Sequence, residues 1–212
     1  MGELTELSVG AFSAEAAADS PAPGGGSAAA VSGSLAAALV AMVCRLSLGR
    51  DDLAVSEEEL QATLAAAERL RGRFLELVDE DTAAFNAVMD AVRMPKAGEP
   101  QRSARSAALA QATLAAAAVP QETLTASAQI LTLAGALVGR ANPAAASDLG
   151  VAVELARAAA EGALLNVAIN LGALPPGDEV AELRMASARE IDVARRSSAA
   201  AAQVIRRGLG VT

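Results

Sequence analysis

The sequence predicts an all-α protein, with about seven helices in a single domain spanning residues 1–212. Hydrophobic residues make up 53% of the chain, and many of them are alanine, which favours helices and lets them pack closely. Aromatic residues, which favour strands, make up only 1%. Apolar residues recur every three or four positions, and no long segment alternates with period two.

Caps and turn residues give the boundaries of the predicted helices. Ser8 can cap the first helix, and the Pro- and Gly-rich residues 21–26 end it. Ser27 can cap the second helix, and Ser56 opens the third with a capping-box sequence. Pro120 is expected to kink or interrupt a helix. The predicted helices are residues 8–18, 28–48, 57–92, 99–118, 120–138, 143–172 and 179–207.

Charge and composition argue against nucleic acid and membrane partners. The net charge is −8, and the chain has no Trp, no Tyr and three Phe, whereas nucleic-acid binding favours a basic surface with stacking aromatics. Residues 20–44 carry no charge, but their Ala, Gly and Ser content favours a buried helix over a membrane span. Residues 1–10 lack the basic start and apolar core of a signal peptide, so we expect a cytoplasmic location.

The absence of histidine limits the chemistry available to this chain. It excludes Ser-His-Asp and Cys-His nucleophile systems and His-ligated zinc. The single cysteine, Cys44, excludes a multi-cysteine metal site, and its apolar surroundings predict a buried structural thiol. We therefore predict no metal site, and acid–base groups drawn from Asp, Glu, Lys, hydroxyls or ordered water.

Four stretches, in order along the chain, carry a resemblance to a known family. They are DSPAPGGGSAAA at residues 19–30, DTAAF at residues 81–85 continuing to AVRMPK at residues 91–96, AVP at residues 118–120, and NPAAASD at residues 142–148 followed by GALLNVAINL at residues 162–171. Together they resemble the bacterial methenyltetrahydrofolate cyclohydrolases and the cyclodeaminase domain of formiminotransferase-cyclodeaminase. Nothing in the chain resembles a formiminotransferase domain.

The resemblance implies a multihelical homodimer with a helical bundle across the interface, acting on a tetrahydrofolate derivative without a separate cofactor. The reaction it implies is hydrolysis of 5,10-methenyltetrahydrofolate to 10-formyltetrahydrofolate. Cyclodeamination of 5-formiminotetrahydrofolate, which releases ammonia, would use the same residues. A third interpretation is a non-catalytic helical dimerisation module, which the lack of aromatic rings to stack a pterin favours.

The glycine-rich loop is the first candidate substrate site. Glycines allow a ligand to approach the backbone closely, and the free N–H groups of a helix N-terminus favour an anion. The structural alternative is a capped helix start after a tight turn. The predicted substrate-binding residues of the loop are Pro23, Gly24, Gly25, Gly26 and Ser27.

Three charged side chains are the candidates for proton transfer, ranked Lys96, Asp81 and Asp148. Lys96 is the only lysine beside sixteen arginines, and a lysine can release a proton where an arginine cannot. Asp81 continues the apolar stripe that includes Phe85, so it is either a carboxylate at the end of a pocket or a solvated member of an acidic run. Asp81 and Lys96 are about 22 Å apart along a straight helix, so contact across a dimer, or two separate roles, is expected.

Three asparagines complete the predicted substrate-binding set, namely Asn142, Asn166 and Asn170. Asp148, Asn166 and Asn170 lie near one stripe of the same predicted helix. Asp148 is more than about 25 Å from Asn166 along that helix, so the two cannot line one small pocket within a subunit. The alternative for Asn166 and Asn170 is hydrogen bonding across a buried helix contact.

Overall fold

The computed structural model describes residues 4–211, and these residues contain six α-helices and no strand. The helices are α1 (Val9–Ala16), α2 (Gly25–Ser47), α3 (Glu57–Arg93), α4 (Glu99–Leu137), α5 (Ala146–Gly172) and α6 (Asp178–Gly208). Short 3-10 turns at Leu4–Glu6 and Pro143–Ala145 precede α1 and α5. The all-α prediction is confirmed, with six α-helices in place of about seven.

The helix count differs because Pro120 does not interrupt its helix. Helix α4 runs continuously from Glu99 to Leu137 with Pro120 inside it. A proline at this position removes one backbone donor, which leaves the carbonyl of Ala116, four residues earlier, without its helical partner. The side-chain Nδ2 of Asn170 on α5 donates to that carbonyl at 2.9 Å. The neighbouring helix therefore replaces the missing hydrogen bond.

Two of the three serine caps predicted from the sequence are present. The Ser8 hydroxyl accepts from the N–H of Ala11, and the Ser56 hydroxyl accepts from the N–H of Glu59. The predicted cap at Ser27 is wrong, because α2 begins two residues earlier and its N-cap is Gly24. Ser27 therefore lies inside the first turn of α2, which turns its hydroxyl toward α3.

Helix α2 lies at the centre of the bundle and packs against α3 on one side and α5 on the other. Small residues bring these helices close together. A Cβ atom at Gly33 would lie 2.3 Å from the ring of Phe74, the largest fully buried side chain, so the glycine makes room for that ring. A Cβ atom at Gly162 on α5 would lie 3.3 Å from Ala29. This central position explains why α2 is almost uncharged.

Helix α2 is also the one helix in the described part of the chain that is long and apolar enough to cross a membrane. In the most apolar part of α2, 61% of the residues are buried within the bundle, as in the core helix of a globular domain. Cys44 on this helix is fully buried, as predicted, and burial raises the pKa of its thiol to about 11. The thiol is therefore protonated at neutral pH and is a packing group.

Candidate active site

The first turn of α2 meets the middle of α3 at a half-buried carboxylate, that of Asp81. The Ser27 hydroxyl donates to Oδ2 of Asp81 at 2.9 Å and lies 3.2 Å from the carbonyl oxygen of Val78. Thr82 is also buried here, with its hydroxyl 3.4 Å from that of Ser27. Residues 54 positions apart in the sequence thus form one polar cluster inside an otherwise apolar bundle.

Gly26 is what allows the carboxylate to reach this position. A Cβ atom at Gly26 would lie 2.1 Å from Oδ1 of Asp81, 2.6 Å from its Cγ and 2.7 Å from its Oδ2. No side chain larger than hydrogen can occupy residue 26 while Asp81 stays in place. The glycine-rich loop therefore has a specific steric role, which is to let a carboxylate from α3 lie against the start of α2.

The surroundings of Asp81 change the pKa of its carboxyl. Burial raises the pKa of the Asp81 carboxyl above its ordinary value, and the hydrogen bonds from Ser27 lower it only in part. The N-terminal end of α2 carries a partial positive charge that favours an anion. The result is a carboxylate held by few donors in a desolvated position, which makes it a stronger proton acceptor than an exposed aspartate.

Asp81 belongs to a run of three acidic residues whose side chains have different partners. Asp79 accepts from the backbone N–H of Leu4 at 2.7 Å. Glu80 forms an ion pair with Arg73. Asp81 alone faces α2, so the interpretation of the run as three solvated acids is wrong for Asp81.

Asn166 joins this site from α5. Its Nδ2 donates to the carbonyl of Gly162, one turn earlier, at 2.9 Å. A Cβ atom at the exposed Gly25 would lie 3.6 Å from the same Nδ2, in ordinary contact. The amide of Asn166 therefore borders the backbone of the glycine loop, close to the free N–H groups that begin α2.

Pro23 and Gly24 support the loop rather than line its open side. Pro23 is buried, and a Cβ atom at Gly24 would meet the carbonyl oxygen of Pro21 at 3.5 Å. The Ser20 hydroxyl donates to the carbonyl of Ala22 within the same turn. Gly25 is the exposed member of the loop and presents backbone to the surroundings.

Asn170 lies one turn beyond Asn166, and its amide is engaged by Ala116 of α4 as described above. The alternative that the sequence left open for this residue, a hydrogen bond across a helix contact, therefore applies to its Nδ2. The bond ties α5 to α4 immediately next to Asn166. Asn170 thus helps to hold the helix that carries Asn166.

Asn142 and Asp148 lie at the other end of α5, away from the glycine loop of the same chain, as the length of the predicted helix indicated for Asp148. The Asn142 side chain accepts from Ala144 and Arg50 and donates to the carbonyl of Leu46. These are contacts of a turn at the C-terminal end of α2, beside a separate cavity of about 450 Å³. Asp148 begins α5, about 27 Å from Asn166 along the helix axis.

Lys96 is exposed in the loop between α3 and α4, and it does not reach Asp81 in the same chain. Fifteen residues separate the two, of which those up to Arg93 belong to α3. The described residues provide Lys96 with no carboxylate within ion-pair distance. The structure therefore brings together Gly25, Gly26, Ser27, Asp81 and Asn166, and leaves the lysine outside that group.

Thr82 and Gly162 also belong to this site, although neither is among the site residues predicted from the sequence. Thr82 follows Asp81 directly and shares with Val78 the face of α3 that meets Ser27. Gly162 accepts the Asn166 amide and lets α5 approach α2. The available signal was the helical spacing of 78 and 82, and of 162 and 166. Residues 4–211 contain no group of three or more His, Cys, Asp or Glu side chains arranged to hold a metal ion.

Fold and site together define an all-helical protein in which a half-buried carboxylate and an amide side chain meet at a helix N-terminus. The chain belongs to the formiminotransferase-cyclodeaminase family, whose model matches residues 8–189. It is 38% identical over 154 residues to the methenyltetrahydrofolate cyclohydrolase of Methylorubrum extorquens, covering 73% of this chain and 74% of that protein.

Two further relatives show how widely the fold is shared. The formimidoyltransferase-cyclodeaminase of Rattus norvegicus is 33% identical over 168 residues, covering 79% of this chain. The match covers only 31% of that longer protein. The crystal structure of formiminotetrahydrofolate cyclodeaminase from Thermotoga maritima superposes with a TM-score of 0.81 at 25% identity, covering 98% of both chains. The family expected from the four sequence stretches is confirmed.

Proposed function

We propose that this protein is a folate one-carbon enzyme that hydrolyses 5,10-methenyltetrahydrofolate to 10-formyltetrahydrofolate. The observation that carries the proposal is the half-buried Asp81 carboxylate beside an exposed glycine backbone and the Asn166 amide. The similarity to the cyclohydrolase of Methylorubrum extorquens over 73% of the chain supports this choice of substrate.

The chemistry needs little beyond what this site offers. The methenyl bridge is an amidinium cation, so its carbon is already electrophilic and is attracted by a carboxylate. Water adds to that carbon while Asp81 accepts one of its protons. The C–N5 bond then breaks, N5 keeps the electron pair and takes up a proton, and the formyl group remains on N10. The overall reaction consumes one water and releases one proton.

The remaining predicted residues have supporting roles in this proposal. The free N–H groups of Gly25 and Gly26 and the amide of Asn166 would bind polar groups of the folate, with Ser27 holding Asp81 in position. Lys96 would supply a proton or orient the water, from a position that one chain does not bring to Asp81. Asp148 and Asn142 would bind a more distant part of the ligand or a second subunit, or have a structural role only.

Formiminotetrahydrofolate cyclodeamination is the second candidate, favoured by the TM-score of 0.81 with the Thermotoga maritima cyclodeaminase. In that reaction N10 attacks the formimino carbon and ammonia leaves, so Asp81 would act as an acid toward the leaving nitrogen. The product is the bicyclic amidinium that the first reaction consumes. One site can therefore serve either reaction.

A homodimer is part of the proposal. Leu165 and Ile169 on α5 are 71% and 73% exposed, and Leu35 on the neighbouring α2 is 52% exposed. These apolar side chains lie on α2 and α5, two of the three helices that form the site. An apolar face of this kind is expected to be covered by a second copy of the chain. Light scattering at micromolar concentration should give twice the mass of one chain, and a monomer would refute this part.

Paired assays separate the candidate reactions. Purified protein is mixed with methenyltetrahydrofolate while the methenyl absorbance is followed, and in parallel with formiminotetrahydrofolate while ammonia is measured. We expect rapid loss of absorbance and no ammonia. Ammonia release with slow hydrolysis would assign the second reaction. Binding without either reaction would favour the non-catalytic dimerisation module.

A further inference from the structure

Residues 83–112 form an arm that leaves the helical bundle. The arm consists of the end of α3, the loop that follows and the start of α4. Ala91 is its only buried residue, because the arm is two helices thick and no other helix covers it. Helix α2 begins opposite Asp81, and the Asn170 amide contacts α4 at Ala116, so both contacts mark the base of the arm.

The two highest-ranked candidates for proton transfer lie at opposite ends of the arm. Asp81 is at its base and Lys96 is at its tip. Asp81 and Arg93 lie about 18 Å apart along α3, and Lys96 lies three residues beyond the end of that helix. The Arg105 side chain donates to the carbonyl of Val92, which ties the two helices of the arm together near the tip. One chain therefore cannot bring Lys96 to its own Asp81 without unfolding the arm.

The charge of the arm is opposite to that of the rest of the chain. Residues 83–112 contain four basic and two acidic side chains, a net charge of +2 in a protein of net charge −8. The two acids are already paired, Asp90 with Arg93 and Glu99 with Arg102. Among the residues that the structure describes, Lys96 at the tip and Arg105, which bonds to a backbone carbonyl, form no ion pair with a carboxylate. The base of the arm carries three acidic residues in succession, at positions 79–81.

We propose that Lys96 acts in trans, and that the arm tip of one subunit completes the Asp81 site of its partner. In an isologous dimer, if residue i of one chain contacts residue j of the other, then j also contacts i. A two-fold axis crossing the middle of the arm, near Val88 and Met89, puts each tip level with the partner's base. Both side chains are apolar and half-buried, and Val92 beside them is 39% exposed.

The surface at the base of the arm fits such a contact. Ile169 and Leu165 are the two most exposed large apolar residues on α5, and Ile169 adjoins Asn170, which donates to the carbonyl of Ala116 on α4, four residues past the end of the arm. An incoming arm tip would meet apolar surface from α5 and negative charge from α3. The inference rests on the proposed function, because it assigns Lys96 and Asp81 to one folate site.

Heterodimers made from two inactive variants test the inference directly. Chains carrying Asp81→Asn and chains carrying Lys96→Ala are co-expressed with different affinity tags, and the mixed dimer is isolated by purification on both tags. In trans, one of its two sites combines an intact Asp81 with an intact Lys96. We expect about half the wild-type kcat per dimer, while each variant homodimer is nearly inactive. A mixed dimer as inactive as both homodimers would overturn the inference.

The reciprocal heterodimer gives the opposite result and serves as the control. One subunit is wild type and the other carries both Asp81→Asn and Lys96→Ala. In trans neither site is complete, so this dimer should be nearly inactive, whereas sites formed within one chain would give about half the wild-type rate. A monomeric protein would also overturn the inference. An inactive wild-type dimer would instead refute the proposed function, so the two failures are distinguishable.

Discussion

Replacing Gly26 by alanine should damage the site without unfolding the protein. The added Cβ would lie 2.1 Å from Oδ1 of Asp81, and ordinary contact begins at 3.4 Å, so the carboxylate must retreat by about 1.3 Å. All three carboxyl atoms lie within 2.7 Å of the new carbon, so rotation about the Cβ–Cγ bond cannot relieve the clash. The hydrogen bond from Ser27 is then lost.

The expected cost in stability is small because two effects oppose each other. A hydrogen bond to a charged group contributes about 1.5–3 kcal/mol, and a carboxylate that moves outward recovers hydration. Alanine in place of glycine inside a helix gains about 1 kcal/mol. The net loss for Gly26→Ala should be below about 2 kcal/mol, or a fall in Tm of less than about 8 °C for a chain of this size.

The expected cost in catalysis is much larger. A displacement of about 1 Å in a reacting group can lower the rate about 100-fold. The assay is the loss of methenyl absorbance at saturating substrate, with circular dichroism melting on the same samples. Gly72→Ala is the matched control, since Gly72 lies inside α3 and a Cβ there meets nothing within 4 Å. Wild-type turnover by Gly26→Ala would refute the inference that residue 26 is glycine because it must leave room for Asp81.

Three further predictions follow from the same contacts. Asp81→Asn should melt at or above the wild-type temperature at pH 7 yet lose activity. Burial raises the pKa of the Asp81 carboxyl, so its charged form lowers the stability of the wild-type protein above that pKa. The difference in melting temperature between the two proteins should vanish below the ordinary pKa of aspartate, where Asp81 is protonated in both the folded and the unfolded state. Asn170→Ala should lower the free energy of unfolding by about 1–2 kcal/mol, because it leaves the Ala116 carbonyl unpaired. The loss should be much smaller in a Pro120→Ala background, where residue 120 regains its own N–H and can donate to that carbonyl. Equal losses in the two backgrounds of a double-mutant cycle would contradict this. Ile169→Glu should convert the dimer to a monomer in light scattering, and a dimer of unchanged stability would place the interface elsewhere.

Local sequence signals were sufficient for most of the helices. The cap at Ser56 depends on near neighbours in the chain and is confirmed. The uncharged composition of residues 20–44 predicts a buried helix, and α2 is one. Pro120 misled the prediction because its cost in an isolated helix is high, whereas a neighbouring helix supplies the missing donor. That donor is Asn170, for which the sequence predicts either substrate binding or a hydrogen bond across a helix contact.

The site itself was only partly predictable. The glycine loop and Asp81 were both identified, but their contact depends on how α2 crosses α3, which no local pattern specifies. Ser27 resembled a helix cap because serine is common there, and only the start of α2 at Gly25 turns its hydroxyl toward Asp81. Asn142 belongs to one of the four stretches that carry the resemblance, yet the length of α5 separates it from Asn166 and the glycine loop.

The rate of methenyltetrahydrofolate hydrolysis by wild type and by Asp81→Asn, measured side by side at neutral pH with matched melting curves, tests the central claim most directly. General acid–base catalysis by a positioned side chain contributes about 10²–10⁴-fold. We predict rapid loss of methenyl absorbance with wild-type protein and a kcat at least about 100-fold lower for Asp81→Asn at unchanged or higher Tm. Equal rates for the two proteins, or no loss above the uncatalysed reaction, would contradict the assignment of this site.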